Sequence, residues 1–442
     1  MPRIFKQLYT GLLLLVVLQV FLSLISGALG YEKGTLAHTW RVVHSVFGGA
    51  QAPFGEDSWG PMRQALEYWK SAANNTQIYT DLFADQHVKF QYPPSSLFIP
   101  LAVGSLGIRP ELIYTLSTYA ALVVLWLSAA SLAVLSLQTR GIIVSTTRDR
   151  ALLLLACGMF TMLFYPVLKA ATLGQVQLWL IAGIAASLLC FLRDQQVTAG
   201  ILAGLLVLIK PQYGLFVAWS LIRRDWRFAG AMLGSIAAGL IASVAVFGIS
   251  NHLDYLKALQ FLARHGETYF PNQTVNGLLG RLLLASSSDG RNTAEPAYFF
   301  PPYNHFVYFG TVISSGAIVL ASLYRPRSGS YDRGLDFCTI ALAATMASPI
   351  GWEHHYGVLL PICIYAGFLL PGRPAASSRF FGGYALFSCF CLASNFIPFA
   401  NVTAGTYLNF IQSYLFFAAA GVFVILLANR AIRFEATGPL TQ

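Results

Sequence analysis

Long apolar runs recur along this chain, and most of the loops that separate them are short and basic. Runs of this kind are long enough to cross a bilayer as helices. The pattern predicts an all-α polytopic membrane protein with about twelve spans, near 7–28, 112–137, 151–168, 174–192, 197–209, 212–223, 228–248, 305–323, 335–348, 354–371, 381–398 and 406–429. The segment 94–107 is too short to cross and is expected to lie re-entrant or interfacial, with its ends buried by protein. Composition agrees: 10% of the 442 residues are charged and the mean hydropathy is +0.60, against about 25% charged in soluble proteins. No polar stretch is long enough for a soluble domain, so residues 1–442 read as one membrane domain.

The run Leu12 to Ile25, preceded by Arg3 and Lys6, exceeds the apolar region of a cleavable signal and reads as a retained first helix. Sixteen of the 28 Lys and Arg fall in the termini (Arg3, Lys6, Arg430, Arg433) and in five short loops (Arg140, Arg148, Arg150; Arg193; Arg223, Arg224, Arg227; Arg325, Arg327, Arg333; Arg373, Arg379). The positive-inside rule then puts both termini in the cytoplasm, as expected of a bacterial-type plasma-membrane protein, and turns the long polar loops outward. The net charge of +10 is explained by those loops. No basic stripe with interleaved aromatics marks a nucleic-acid partner. The six cysteines all fall in apolar spans, which implies packing rather than disulfides. Cys389 and Cys391 would point about 200° apart on a helix, unlike a metal pair.

Two loops stand out on the outer side, 31–92 and 251–304. The first carries Glu32, Glu56, Asp57, Glu67, Asp81 and Asp85, and with Glu111 just beyond holds seven of the eighteen acidic residues. Apolar positions 62, 65, 66 and 69 predict an amphipathic helix on the membrane surface. Asp57 stands near its start, where a carboxylate either caps the helix or acts as a general base on a hydroxyl. The loop ends in Phe90-Gln91-Tyr92-Pro93-Pro94, whose prolines force an extended entry to the next segment.

The same topology gathers further polar residues outward. Gln175 and Gln177 open the fourth span, where a glutamine near lipid needs a partner. Lys210-Pro211 breaks a long apolar stretch, and a lysine there is a candidate for an anionic lipid headgroup. Asn276 and Arg281 share one amphipathic turn of the second loop. Trp352-Glu353-His354-His355 combines a ring able to stack on a sugar with imidazoles able to donate to a phosphate. Adjacent histidines point about 100° apart on a helix, so a zinc site is not expected. Asn74-Asn75-Thr76, Asn272-Gln273-Thr274 and Asn401-Val402-Thr403 match the glycosylation sequon and carry little weight in a bacterial-type chain.

In order and sidedness, these pieces resemble glycosyltransferase family 87, membrane enzymes of the GT-C fold that include polyprenol-phosphate-mannose-dependent mannosyltransferases. The resemblance rests on the loop acid, Phe90-x-Tyr92-Pro93-Pro94, Gly174-Gln175-x-Gln177, Lys210-Pro211, Asn272-x-x-x-Asn276 with Arg281, and Ser348-Pro349 with Trp352-x-His354-His355. The family usually has Asn at the position of Gln177. It implies inverting transfer of a hexose, mannose foremost, from a polyprenyl-phosphate sugar to a lipid or glycan hydroxyl at the outer face. A donor carrying its own phosphate leaving group needs no nucleotide fold, no cofactor is expected, and no ligand cluster with usable spacing points to a required metal. Asp57 is then the base, with Glu56 its competitor and Asp81 and Asp85 outsiders. Lys210, His354, His355 and Arg281 face the donor phosphate. Glu56, Tyr92, Gln175, Gln177, Asn276 and Trp352 contact substrate. A transporter or flippase would also have many spans and broken helices, but it would carry charge at mid-span and related halves, and neither is visible. A membrane scaffold would not need polar clusters on one face.

Overall fold

A computed structural model describes residues 2–31, 34–47, 54–71, 77–284, 300–324, 331–372 and 379–430. Arg325, Arg327, Arg373, Arg433, Glu32, the Asn74-Asn75-Thr76 sequon and part of the second loop, 285–299, lie outside these residues. The N-terminal part holds α1 (Pro2–Ala28), α2 (Gly34–Phe47), α3 (Trp59–Ser71), α4 (Phe98–Ser105) and α5 (Pro110–Thr139). The middle holds α6 (Thr147–Met162), α7 (Tyr165–Thr172), α8 (Gln177–Leu192), α9 (Gln196–Val207), α10 (Leu215–Arg223), α11 (Trp226–Phe247), α12 (Ile249–His265) and α13 (Val275–Leu284). The rest are α14 (His305–Leu323), α15 (Arg333–Met346), α16 (Leu359–Leu369), α17 (Arg379–Ala393) and α18 (Tyr414–Asn429). Among the described residues there is no strand, and the one isolated bridge pairs Asn272 with Trp352.

The protein is all-helical and built for a membrane, but the count of twelve spans is not reproduced. Five described helices are long and apolar enough to cross: α1, α5, α11, α14 and the segment Asn409–Asn429 containing α18. A sixth arises if α6 and α7, bent by 66°, form one broken span. The other expected spans are shorter helices: α8, α9, α10, α15, α16 and α17 run 9 to 16 residues each. The breaks have physical causes. Pro211 cannot continue α9 because it lacks an N–H and restricts Lys210 to extended backbone. Gly174 at φ +64 ends the α7 turn. α1, α11 and α14 leave most of their apolar surface uncovered, an amount of exposed hydrocarbon that water does not tolerate and lipid does.

Segment 94–107 forms a 3₁₀ turn, Pro94–Leu97, running into α4. At about 18 Å of rise it falls short of the bilayer core, as its length predicts. α3 forms where the sequence places an amphipathic helix and buries Trp59, Met62, Ala65 and Leu66 against α4 and the Pro94 turn.

The interior short helices pack closely because small residues permit it. Gly200 and Gly204, four residues apart on α9, lie against the α11 backbone; a Cβ on either would collide with the Phe228 carbonyl or with Ser235. In lipid, such close approach supplies much of the association. At the end of the bundle reached by the C-termini of α10, α14 and α18, Asp336 joins Arg223 and Arg430 in a fully buried charge cluster.

Candidate active site

The segment Thr172–Gln177, between α7 and α8, organises the polar end of the bundle. Its backbone receives the first loop: the Gly55 N–H donates to the Thr172 carbonyl (3.0 Å) and the Asp57 N–H to the Leu173 carbonyl (3.0 Å). Gly174 is required twice over, by its positive φ and because a Cβ there would run into the Gly55 carbonyl. Gly174→Ala is therefore expected to shift the Asp57 loop. A displacement near 1 Å costs on the order of 100-fold in rate, readable as kcat at saturating substrates.

The first network hangs on Gln175. The Val176 N–H donates to Ser58 Oγ (3.0 Å), Ser58 donates to Gln175 Oε1 (2.6 Å), and the Tyr92 hydroxyl lies within 2.8 Å of Ser58 Oγ and 3.1 Å of the same Oε1. These donors fix the amide so that its Nε2–H faces and donates to the Asp57 carboxylate. Among the described residues that carboxylate bonds no backbone N–H of α3, which argues against a purely capping role. Asp57 keeps one face open to solvent yet is otherwise crowded. Burial raises its pKa above the ordinary aspartate value, opposed by the Gln175 hydrogen bond and by Lys89 and Lys169. The open face limits that shift by solvent screening.

Two residues on, Gln177 organises the second network. Lys210 donates from Nζ to Gln177 Oε1 (2.8 Å) and lies 2.6 Å from His355 Nε2. The other ring nitrogen, His355 Nδ1, accepts the Trp352 backbone N–H (3.1 Å). A neutral imidazole that accepts at Nδ1 carries its proton at Nε2, so Nε2–H points at Lys210, whose nitrogen must then accept as a neutral amine. Burial accordingly holds the Lys210 pKa well below the usual lysine value. Gln177 Nε2 faces the Tyr213 hydroxyl without closing a full hydrogen bond. The result is a compact group of N–H donors gathered around Lys210, of which Gln177 Nε2 has no partner among the described residues.

Around these networks the sequence-predicted residues divide. His354 is buried, its ring 4.6 Å from that of His355 at 85° and 5.8 Å from Trp352. Trp352 donates its indole N–H to Glu267 (2.6 Å), and Lys89 lies 5.5 Å over its ring. Glu56 turns away from Gln175 and pairs with Arg63 (2.8 Å). Arg281 is fully buried and spends its guanidinium on the Tyr269 and Asn272 carbonyls (3.2 and 3.1 Å) and Ser413 Oγ (2.6 Å). Asn276 binds the Glu267 N–H (3.1 Å) and Thr311 (3.2 Å). Both fasten the second loop, and the geometry gives Arg281 no direct share in the Lys210 group. Asp81 accepts from Tyr68 (2.6 Å), away from Gln175.

Sequence reasoning missed Ser58, Lys89, Lys169 and Glu267. Lys169 sits on α7 as a charge felt by Asp57, His38 and His354. His38 is held neutral, its pKa lowered to about 3 by burial, then Lys169 and Arg41. Glu267 is buried beside Lys89 (3.6 Å), and burial raises its pKa against the pull of Lys89 and the Trp352 hydrogen bond. Lys89 stood next to the Phe90-x-Tyr92 motif and was the one legible signal among them. Among the described residues no three His, Cys, Asp or Glu side chains gather as metal ligands would.

Gln175 and Gln177 thus hold a carboxylate network and a lysine–histidine network two residues apart on one segment. The model of glycosyltransferase family 87 matches residues 90–349. The chain belongs to that family. The match takes in Tyr92, Gln175, Gln177, Lys210, Asn276 and Arg281; Asp57, Trp352, His354 and His355 lie outside it. Two curated relatives are similar at 24% identity, both polyprenol-phosphate-mannose-dependent alpha-(1-2)-phosphatidylinositol mannoside mannosyltransferases. The one from Mycolicibacterium smegmatis aligns over 217 residues, 46% of this chain and 44% of its own length. The one from Mycobacterium tuberculosis aligns over 291, 64% and 63%. The chain thus matches less than two-thirds of the length of either. No solved structure matches.

Proposed function

We propose that this glycosyltransferase moves mannose, with inversion, from a polyprenyl-phosphate donor to a hydroxyl of a lipid or glycan acceptor on the outer face of the plasma membrane. The observation that carries the reading is the spacing of two networks on one rigid segment, Asp57 on Gln175 and Lys210 with His355 on Gln177. In an inverting displacement the acceptor oxygen and the departing phosphate lie on opposite sides of the sugar carbon. A base is needed on one side and anion stabilisation on the other. Asp57 takes the acceptor proton as the new C–O bond forms. The bond from the sugar carbon to the phosphate oxygen breaks, and the charge left on phosphate meets Lys210, Gln177, His354 and His355. Tyr92, Gln175 and Ser58 position the base. Trp352 lies where it can face the sugar, and Arg281 and Asn276 hold the loop that carries Glu267. Both termini are cytoplasmic in this reading, residues 1–442 form one domain, the lipid tails lie among bilayer lipids, and no cofactor, metal or nucleic acid takes part.

Two tests follow from Lys210. It receives a proton when a phosphate replaces the neutral Nε2–H contact, so donor binding takes up a proton. The donor KM should rise as pH increases through the Lys210 pKa, which burial has already lowered. Lys210→Met removes a charge-assisted hydrogen bond, worth about 1.5–3 kcal/mol, and should raise the donor KM roughly 10- to 150-fold. Labelled mannose transfer from polyprenyl-phosphate mannose in membranes measures both. No transfer by the wild type from this or any other polyprenyl-phosphate sugar would overturn the proposed reaction.

A further inference from the structure

Beside the loop that carries Asp57, with Gly55 and Glu56 in its lining, lies a cavity of about 180 Å³. A cavity of about 150 Å³ already admits a six-membered ring. Phe54, Glu56, Trp59, Glu111, Tyr114 and Thr115 are among its lining residues. Trp59 and Tyr114 stack face to face, centroids 4.7 Å apart and planes 1° from parallel, and form an apolar wall. The Trp59 side chain is 3% exposed, and its indole N–H has no hydrogen-bond partner among the described residues. A buried N–H without a partner is uncommon and costly, so this one reads as a donor kept for a ligand. Two of the lining carboxylates share one guanidinium outside the lining, that of Arg63, with Glu56 at 2.8 Å and Glu111 at 3.5 Å. Glu111 is exposed and the other two are half-buried, and pairs this open to solvent are weak enough to be exchanged for other partners.

We propose that this cavity is the subsite for the acceptor's hydroxylated sugar ring, which it delivers to Asp57. The inference rests on the transferase reading above and names where the second substrate sits. An aromatic wall, a donor N–H, two carboxylates that accept from hydroxyls and one guanidinium suit a neutral polyol. Two carboxylates against one guanidinium leave one net negative charge, which disfavours the donor phosphate. The charges around Tyr114 are Arg63, Glu56 and Glu111, and the lysines of the donor side are not among them. Gly55 and Glu56 line the cavity and directly precede Asp57, so the cavity lies beside the loop that carries the base.

The test uses the full-length enzyme in nanodiscs and radiolabelled octyl α-mannopyranoside as probe, with octanol as the competitor that shares only the tail. Saturable binding that octanol does not displace is expected. Trp59→Phe keeps the stack and loses the N–H, and should weaken binding about five- to tenfold, the worth of one hydrogen bond. Glu111→Gln, at an exposed position that cannot unfold the chain, should weaken it severalfold. The KM for polyprenyl-phosphate mannose should not move in either variant. Absence of saturable binding to the wild type, or wild-type binding in both variants, overturns the proposal. So does a raised donor KM with intact glycoside binding, which would make the cavity a donor-sugar site. The transferase reading fails by a separate observable, lack of label transfer by the wild type, so the two failures are distinguishable.

Discussion

Asp57→Asn should leave a folded, membrane-inserted enzyme that has lost transfer by a factor of about 10²–10⁴, the usual contribution of a positioned general base. The substitution is nearly isosteric, and the side-chain oxygen of Asn can still accept the Gln175 N–H that now meets the carboxylate. The donors behind Gln175, from Ser58 and Tyr92, are untouched, so the loop stays docked on Leu173 through the Asp57 N–H. What disappears is the capacity to take a proton. Stability should not fall, and the sign can be worked out. A carboxyl whose folded pKa is raised contributes stability below its unfolded pKa and loses it as pH rises through the folded value. Above that value the ionised Asp57 opposes folding, and Asn removes that opposition. The wild-type kcat/KM should therefore show an acid limb above the ordinary aspartate range, because the base must be ionised. Label transfer in membranes, with the melting temperature of the purified variant alongside, checks both halves. Wild-type rates in Asp57→Asn would move the base to Glu56, whose carboxylate pairs with Arg63 at the cavity.

The networks around Gln175 and Gln177 were legible to different depths. The apolar runs followed from composition, and charge bias put Asp57, Tyr92, Gln175, Gln177, Lys210 and the two histidines on one expected face; the structure brings most of these side chains into two adjacent networks. Their pairing was not legible. Nothing in the local sequence says that Lys210 reaches His355, 145 residues away, or that Ser58 rather than Asp57 receives the Val176 N–H. Arg281 is a candidate anion ligand by its place on one amphipathic turn with Asn276 and by the family resemblance. Only the fold shows that carbonyls and Ser413 hold its two terminal nitrogens, while its Nε has no partner among the described residues. The count of twelve spans is not confirmed among the described residues, for a related reason. Hydropathy registers apolar residues without distinguishing lipid from protein as their surroundings. α15 is apolar over most of its length because other helices cover it on every side, and α9 is held by glycine contacts to α11. Broken and re-entrant helices satisfy their backbone inside the protein, a tertiary fact.

The second large effect is expected far from the chemistry. Asp336→Asn should cost about 3–5 kcal/mol, the usual penalty for removing one partner from a buried ion cluster, out of the 5–15 kcal/mol that holds a typical domain. Asp336 is fully buried and accepts four hydrogen bonds: Trp219 Nε1 at 2.7 Å, Arg223 at 2.6 and 3.0 Å, and Arg430 at 3.0 Å. Each guanidinium also donates to the last carbonyls of α14, at Ala321, Ser322, Leu323 and Tyr324, groups that a helix end leaves unpaired. One carboxylate thus joins α10, α14, α15 and α18. Asn cannot neutralise two buried guanidinium charges, so both helix ends loosen together. The Arg333–Asp225 pair nearby serves as the internal contrast: at 2.8 Å, between the 2.6 and 3.0 Å of the two ion pairs in the cluster, but 42% exposed on the arginine side, it should contribute about 1 kcal/mol or less. In detergent, Asp336→Asn should melt many degrees below wild type, Arg333→Ala by a few at most. Because α15 rises about 21 Å over its 14 residues and separates the cluster from Lys210 and His355, the fraction of Asp336→Asn that stays folded should transfer sugar at the wild-type rate. Equal melting temperatures for the two variants would show that the cluster is hydrated in the membrane protein and holds little of the fold.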